Sequence, residues 1–142
     1  MKRTFATLAA LLVTFGVALF ATASPASAHT GNPPSGCHYT NFFTGGGTNY
    51  GRACFEWEGD DHWVADLQGN GRRVGVDIQT NYGKYRNCEN THGAGTWHEC
   101  TFDHLEEECV RWRGYEYDGD TGSFYNITPW SSWRRIDTGG AC

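Results

Sequence analysis

Beyond its first 28 residues this 142-residue chain has few aliphatic side chains. Nine Val, Ile or Leu residues follow position 28 (Val64, Leu67, Val74, Val76, Ile78, Leu105, Val110, Ile127 and Ile136), and no Met. A core of ordinary aliphatic make-up is therefore excluded. Basic residues are scarce as well. Nine Lys or Arg stand against 16 Asp or Glu after position 28, a net charge of −7 with His neutral. That balance argues against a nucleic-acid binder, which needs a basic face, and against adsorption to an anionic membrane. No apolar run of bilayer-spanning length follows the first two dozen residues, so no membrane anchor is expected. Only four Ser remain (Ser35, Ser123, Ser131 and Ser132), none in a G-x-S-x-G elbow, and there is no C-x-x-C pair.

What is present is equally marked. Lys2 and Arg3 precede an apolar run from Phe5 to Ala23, and Ala26 and Ala28 precede a cut before His29. This is the grammar of a secretory signal peptide over residues 1–28, so the expected location is extracellular. Eighteen aromatic residues follow (six Trp, seven Tyr and five Phe), so rings must supply most of the core. All six cysteines, Cys37, Cys54, Cys88, Cys100, Cys109 and Cys142, lie in the exported part. An even count in an exported chain predicts three disulfides, each contributing roughly 2–4 kcal/mol. Six cysteines admit 15 pairings. A local Cys88–Cys100 bridge is the first expectation, with Cys142 tying its end of the chain to the body.

Two regions follow. Residues 29–51 contain no Val, Ile, Leu or Met and no charged side chain, and Gly, Thr, Asn and Pro dominate. Pro33-Pro34 and Gly45-Gly46-Gly47 predict a flexible arm: either a disordered lead-in or a first edge strand pinned by Cys37, or a docking arm with Phe42 and Phe43 as its hydrophobic knobs. Residues 52–142 read as seven or eight short strands separated by turns. Arg52–Glu58 alternates, Ala53, Phe55 and Trp57 against Cys54, Glu56 and Glu58. His62–Leu67 and Arg72–Thr80 follow, joined by a hairpin loop at Gln68–Gly71. In the second of these, Val74, Val76 and Ile78 recur at period two. Lys84–Cys88, Thr96–Phe102, Cys109–Tyr117, Ser123–Thr128 and Trp130–Ile136 complete the set, with one helical turn over Asp103–Glu108. The predicted fold is all-β, a small antiparallel sandwich or barrel with three disulfides and an extended N-terminal arm.

Candidate chemistry is thin. His98, Cys100 and His104 carry zinc-ligand atoms, but an oxidised Cys is no ligand, so no metal is expected. Asp118-Gly-Asp120-Thr-Gly122 opens like a calcium loop yet has Gly at position five and Pro129 at position twelve, so a hairpin turn is expected. Glu56, Glu58, Asp60, Asp61 and Glu99 are candidates for a glycosidase pair. Glu106-Glu107-Glu108 reads as a solvated face. Asn126-Ile127-Thr128 fits a glycosylation acceptor. Among the Trp residues, Trp57, Trp97 and Trp112 lie inside strand patterns and are expected in the core. Trp130 and Trp133, beside Ser131-Ser132 and Arg134-Arg135, are expected nearer the surface as partner-binding residues.

The leader, the Trp- and Cys-rich body and the phrase His92-Gly-Ala-Gly-Thr-Trp97-His-Glu-Cys100 resemble small secreted proteins of filamentous actinobacteria such as Streptomyces. The layout of an arm before a compact β domain resembles the small adaptor subunit of Streptomyces umbrella toxin particles. That resemblance implies a non-enzymatic linker between a stalk-bearing toxin polypeptide and a lectin-like subunit. The arm would dock into the stalk and the body would hold the lectin. With Cys37 alone in the arm, a loop closed by the arm's own disulfide is not available here. The expected function is thus a secreted, non-catalytic adaptor with a protein partner, no cofactor, and Phe42, Phe43, Trp130 and Trp133 as contact residues. The rivals are a carbohydrate-binding module using the two Trp, a small extracellular hydrolase, and a protease inhibitor offering the loop at Glu89–Gly95.

Overall fold

The computed structural model of the chain describes residues 29–30, 32–33, 35, 37 and 41–142, with the backbone alone at 29, 30, 41 and 42. The leader expected over 1–28 lies outside the described residues. Ten strands occur in chain order: β1 (His29–Thr30), β2 (Asn41–Gly45), β3 (Thr48–Glu56), β4 (Asp61–Asp66), β5 (Arg73–Thr80), β6 (Tyr85–Asn90), β7 (Trp97–Thr101), β8 (Cys109–Asp118), β9 (Ser123–Tyr125) and β10 (Arg134–Arg135). They build two antiparallel sheets, β1-β7-β4-β3-β2 and β10-β8-β5-β6, with β9 also paired to β8. No helix occurs among the described residues, none of which forms a membrane-spanning helix. The all-β antiparallel class predicted from alternation is the class observed.

The core lies between the sheets and mixes rings with aliphatic side chains: Phe43, Tyr50, Phe55 and Trp112 pack among six of the nine Val, Ile and Leu residues, so the expectation of a core made mainly of rings is corrected. Val74, Val76 and Ile78 of β5 point inward as their period-two spacing requires, with Val110 and Trp112 of β8 beside them. Phe43, Tyr50, Phe55 and Val64 meet them from the first sheet. The three disulfides are Cys37–Cys54, Cys88–Cys100 and Cys109–Cys142, with Cα separations of 5.8, 5.9 and 6.5 Å, inside the range a disulfide spans. Cys88–Cys100 joins β6 of the second sheet to β7 of the first, and three bridges fit an oxidising, extracellular compartment.

Four further expectations are corrected. Residues 41–51 of the expected flexible arm are strand: β2 pairs with β3 across Gly46-Gly47, both at positive φ (60° and 85°). Consecutive positive φ values are what a two-residue hairpin demands, so these glycines make a tight turn and not a flexible joint. Phe43 is 2% exposed and packs where Gly114 and Gly51 lack side chains, so it is a core residue and no docking knob. Phe42 pairs with Arg52 through its backbone, and its side chain lies outside the described atoms. The Gln68–Gly71 loop is not a hairpin. It carries the chain from β4 in the first sheet to β5 in the second, held by Leu67 N donating to Tyr50 O (3.0 Å) and Gln68 N to Asp66 Oδ1 (2.9 Å). Asp103–Glu108 forms a turn, Glu108 N to Leu105 O (3.3 Å), with Glu107 at φ 65° in place of a helical residue.

The expected strands Ser123–Thr128 and Trp130–Ile136 are shorter than alternation implied. Asn126 takes φ 51° and ends β9, and residues 126–133 form a strap along β8. Thr128 N donates to Gly114 O (2.9 Å) and Ser131 N to Trp112 O (2.8 Å). In return Gly114 N donates to Thr128 Oγ1 (2.9 Å) and Trp112 N to Ser131 Oγ (3.0 Å). Two hydroxyls thus replace two strand carbonyls, so the β8 edge between β9 and β10 keeps its partners although Pro129 has no N–H to give.

Candidate functional site

The outward face of the second sheet gathers the side chains that the core does not use. Alternation turns Arg111, Arg113 and Tyr115 of β8 outward, beside Asp77 and Gln79 of β5 and Tyr85 of β6. The register sets Arg111 opposite Gln79 and Arg113 opposite Asp77. Gln79 Oε1 accepts from Arg111 Nε and Nη2 at 2.8 and 2.6 Å, and Gln79 Nε2 donates to Tyr85 Oη at 2.6 Å. Asp77 Oδ2 accepts from Arg113 Nε and Nη2 at 2.9 and 2.8 Å. Both guanidiniums are thereby fixed in orientation.

The strap lays two indoles onto them. The Arg111 guanidinium lies 4.4 Å from the Trp133 ring centroid and 4.9 Å from that of Trp130, and the Arg113 guanidinium lies 4.7 Å from Trp130. The result is a ladder, Trp133, Arg111, Trp130, Arg113, within the distance at which a cation and a ring attract. Trp130 and Trp133 are each partly buried, and so are Trp57 and Trp97. Trp112 and Trp63 are the buried indoles. The sequence-based placement of Trp57 and Trp97 in the core is correct only in part. Arg113 is neutralised by Asp77, while the acceptor that holds Arg111 is a neutral amide, so the ladder keeps one positive centre on an acidic protein.

Beyond the ladder the face continues in aromatics. Tyr115 lies across Gly75, whose missing side chain makes the room, and its hydroxyl donates to Glu89 Oε1 (3.0 Å). Burial beside Glu89 raises the Tyr115 phenol well above its ordinary value, so it stays a donor. Phe124 packs on Tyr115 and Tyr117 at 5.1 and 5.0 Å between centroids. Tyr85 is 68% and Phe124 55% exposed. Neither was singled out by sequence. The available signal was the period-two pairing of Arg111 and Arg113 ahead of two Trp spaced three apart.

The other candidates fall elsewhere. His98 and Cys100 do not meet His104. The His104 ring packs on Phe55, His62 and Phe102 and contacts Tyr82 Oη at 3.4 Å, and its backbone N donates to Asp60 Oδ2 (2.9 Å). Burial pulls the His104 imidazole down to about 4 and drives the fully enclosed His62 well below the usual histidine range, so both are neutral. Burial pushes the Glu56, Asp60 and Asp61 carboxyls upward. Yet a cavity of about 360 Å³ is lined by Asp66, Arg72, Asn90 and glycine-rich loops and by none of the proposed carboxylates. Asp118 Oδ1 accepts from Asp120 N and Thr121 N (3.0 and 3.1 Å), which closes the β8–β9 turn. Asn126 Nδ2, the acceptor atom of the glycosylation pattern, donates to the buried Glu116 carboxylate. Set against known proteins, the chain matches no family model, no curated protein and no solved structure.

Proposed function

We propose that this is an exported, non-catalytic interaction module that binds a protein partner on the outward face of its second sheet, as an adaptor in a secreted assembly would. The observation that carries the reading is the Trp133, Arg111, Trp130, Arg113 ladder flanked by exposed Tyr85 and Phe124. Trp, Tyr and Arg are the residue types that dominate binding energy in protein interfaces. Here Arg111, Arg113 and Tyr85 are held by hydrogen bonds and the two indoles lie against the guanidiniums before any partner arrives, so less side-chain entropy remains to be lost on association. The indole of Trp130 is shared between two guanidiniums, which leaves it less free to stack on a sugar and favours a protein over a polysaccharide. The partner carries a carboxylate or carbonyl cluster to meet Arg111. Membership of a particle such as the umbrella toxins rests on the resemblance of layout, with the arm-docking element replaced, because Phe43 is in the core.

The test is capture of a stoichiometric partner from native culture fluid by the tagged protein, with Tyr85→Ala and Trp133→Ala as variants and unfolding midpoints as controls. Loss of the partner in variants that keep the native midpoint supports the reading. Retention on a polysaccharide with no protein captured would replace it with the carbohydrate-binding module.

A further inference from the structure

The segment Cys88 to Cys100 holds ligand chemistry that the binding face does not use. We propose that Cys88, Cys100, His98 and His92 form a zinc site when the Cys88–Cys100 disulfide is reduced, so that one staple between the sheets exists in two chemical forms. The two Sγ atoms and a ring nitrogen of His98 already lie within 4.8 Å of one another. Tetrahedral zinc with sulfur and nitrogen ligands needs separations of roughly 3.3–3.8 Å. The two Sγ atoms, bonded to each other in the disulfide, therefore separate on reduction while the His98 nitrogen moves inward by at most about 1 Å. His98 is 6% exposed and its Nδ1 is buried without a hydrogen-bond partner. Buried polar atoms are normally satisfied, and a metal would satisfy this one.

The fourth ligand is His92, which stands outside that three-residue group and joins it by movement of its loop. Its ring centroid is 5.0 Å from that of His98. It sits in an exposed loop whose Gly93 and Gly95 take positive φ, and its backbone N is fixed by Asn90 Oδ1 at 2.9 Å. The spacing C-x₃-H-x₅-H-x-C brings two ligands from β7, one from β6 and one from the loop between them.

The chemistry balances. A dithiol reductant gives two electrons and two protons to the Cys88–Cys100 bond and becomes a disulfide itself. The two thiols formed each release a proton as their thiolates take Zn²⁺. The same two strands stay joined, by S–Zn–S in place of S–S. In a newly made, still reduced chain the metal would hold this pair in register and keep it from pairing with the other four cysteines.

The experiment reoxidises the fully reduced protein with and without Zn²⁺ and follows each disulfide by peptide mapping. Zinc is expected to delay Cys88–Cys100 at least tenfold relative to Cys109–Cys142, and His98→Gln to abolish the delay. In parallel, Co²⁺ bound to the reduced chain should show thiolate charge-transfer absorption at one ion per chain. It should vanish in Cys88→Ser/Cys100→Ser and need at least tenfold more Co²⁺ in His92→Gln, whose exposed loop position spares the fold. Equal delay of all three disulfides, no delay, or cobalt absorption that survives loss of Cys88 and Cys100 would overturn the proposal.

Discussion

The two sheets of this protein carry aromatic residues on both of their outward faces, and the faces behave differently. On the first sheet Cys54, Trp63 and Ala65 point away from the core by alternation and are nevertheless buried. Cys37 bonds to Cys54 there, while Trp97 on the same face stays partly exposed under the Arg52 guanidinium. On the second sheet Trp130, Trp133, Tyr85 and Phe124 stay partly or largely exposed, and their polar neighbours are paired with one another. An outward residue is therefore not a surface residue by position alone. What decides is what packs over it: Tyr115 on the second face is buried too, beneath Phe124.

Substitutions sharpen that contrast. Trp63→Ala on the covered face, like Phe43→Ala in the core, should destabilise by about 3–5 kcal/mol, measured as a lowered urea midpoint with unchanged slope. A small effect of Trp63→Ala would mean that the first face is open too, and would break the comparison.

Acid comes next in size. His62 and His104 are neutral in the fold and held below their ordinary value of 6.5. Arg86 presses His104 further down while Asp103 pulls it the other way. Below about pH 6.5 the unfolded chain takes up protons that the folded chain refuses. Stability is therefore complete above that pH and is lost as pH falls toward about 4, where folded His104 itself protonates. Between pH 7.5 and 5.5 the loss should be about 3 kcal/mol, and His62→Leu should remove roughly half of it. The raised Asp60 and Asp61 carboxyls work in the opposite direction, at lower pH. A flat profile from pH 7.5 to 5.5 would show that the two imidazoles are not buried as a pair.

Smaller again, Thr128→Ala and Ser131→Ala each remove a hydroxyl that completes the edge of β8 and should cost about 1 kcal/mol. Faster amide exchange at Gly114 and Trp112 in the respective variants would confirm the assignment. Smallest in stability is Tyr85→Ala, within about 0.5 kcal/mol for a side chain so exposed, and yet it should weaken partner capture at least tenfold.

Much of the fold was legible where local pattern and burial agree. β5 announced itself through Val74, Val76 and Ile78, and a Cys88–Cys100 bridge was readable because a sequence separation of 12 across polar loop and short strand invites a local closure. The β2–β3 hairpin was not legible, because Gly45-Gly46-Gly47 has the composition of a flexible segment. Only the paired strands on either side, set by Phe43 finding Gly114 in the other sheet, tell a turn from a linker. The crossing at Gln68–Gly71 failed for the same reason: turn residues say that the chain bends and not which sheet receives it. At the candidate site Trp130 and Trp133 were readable as a pair, but their support was not. It depends on the register of β8 against β5, which places Gln79 and Asp77 under the two guanidiniums.

The Cys109–Cys142 bond closes residues 109–142 into a ring that contains β8, β9, the strap and β10. In mechanical terms, a pull transmitted through Cys142 bypasses everything inside that ring. It arrives at Cys109, the first residue of the strand hydrogen-bonded to β5 along most of its length. The strap and its indoles carry none of the load. A partner seated on the ladder would therefore stay seated under tension that would peel an unclosed chain end away, and resistance would come from shearing β8 against β5 as a whole.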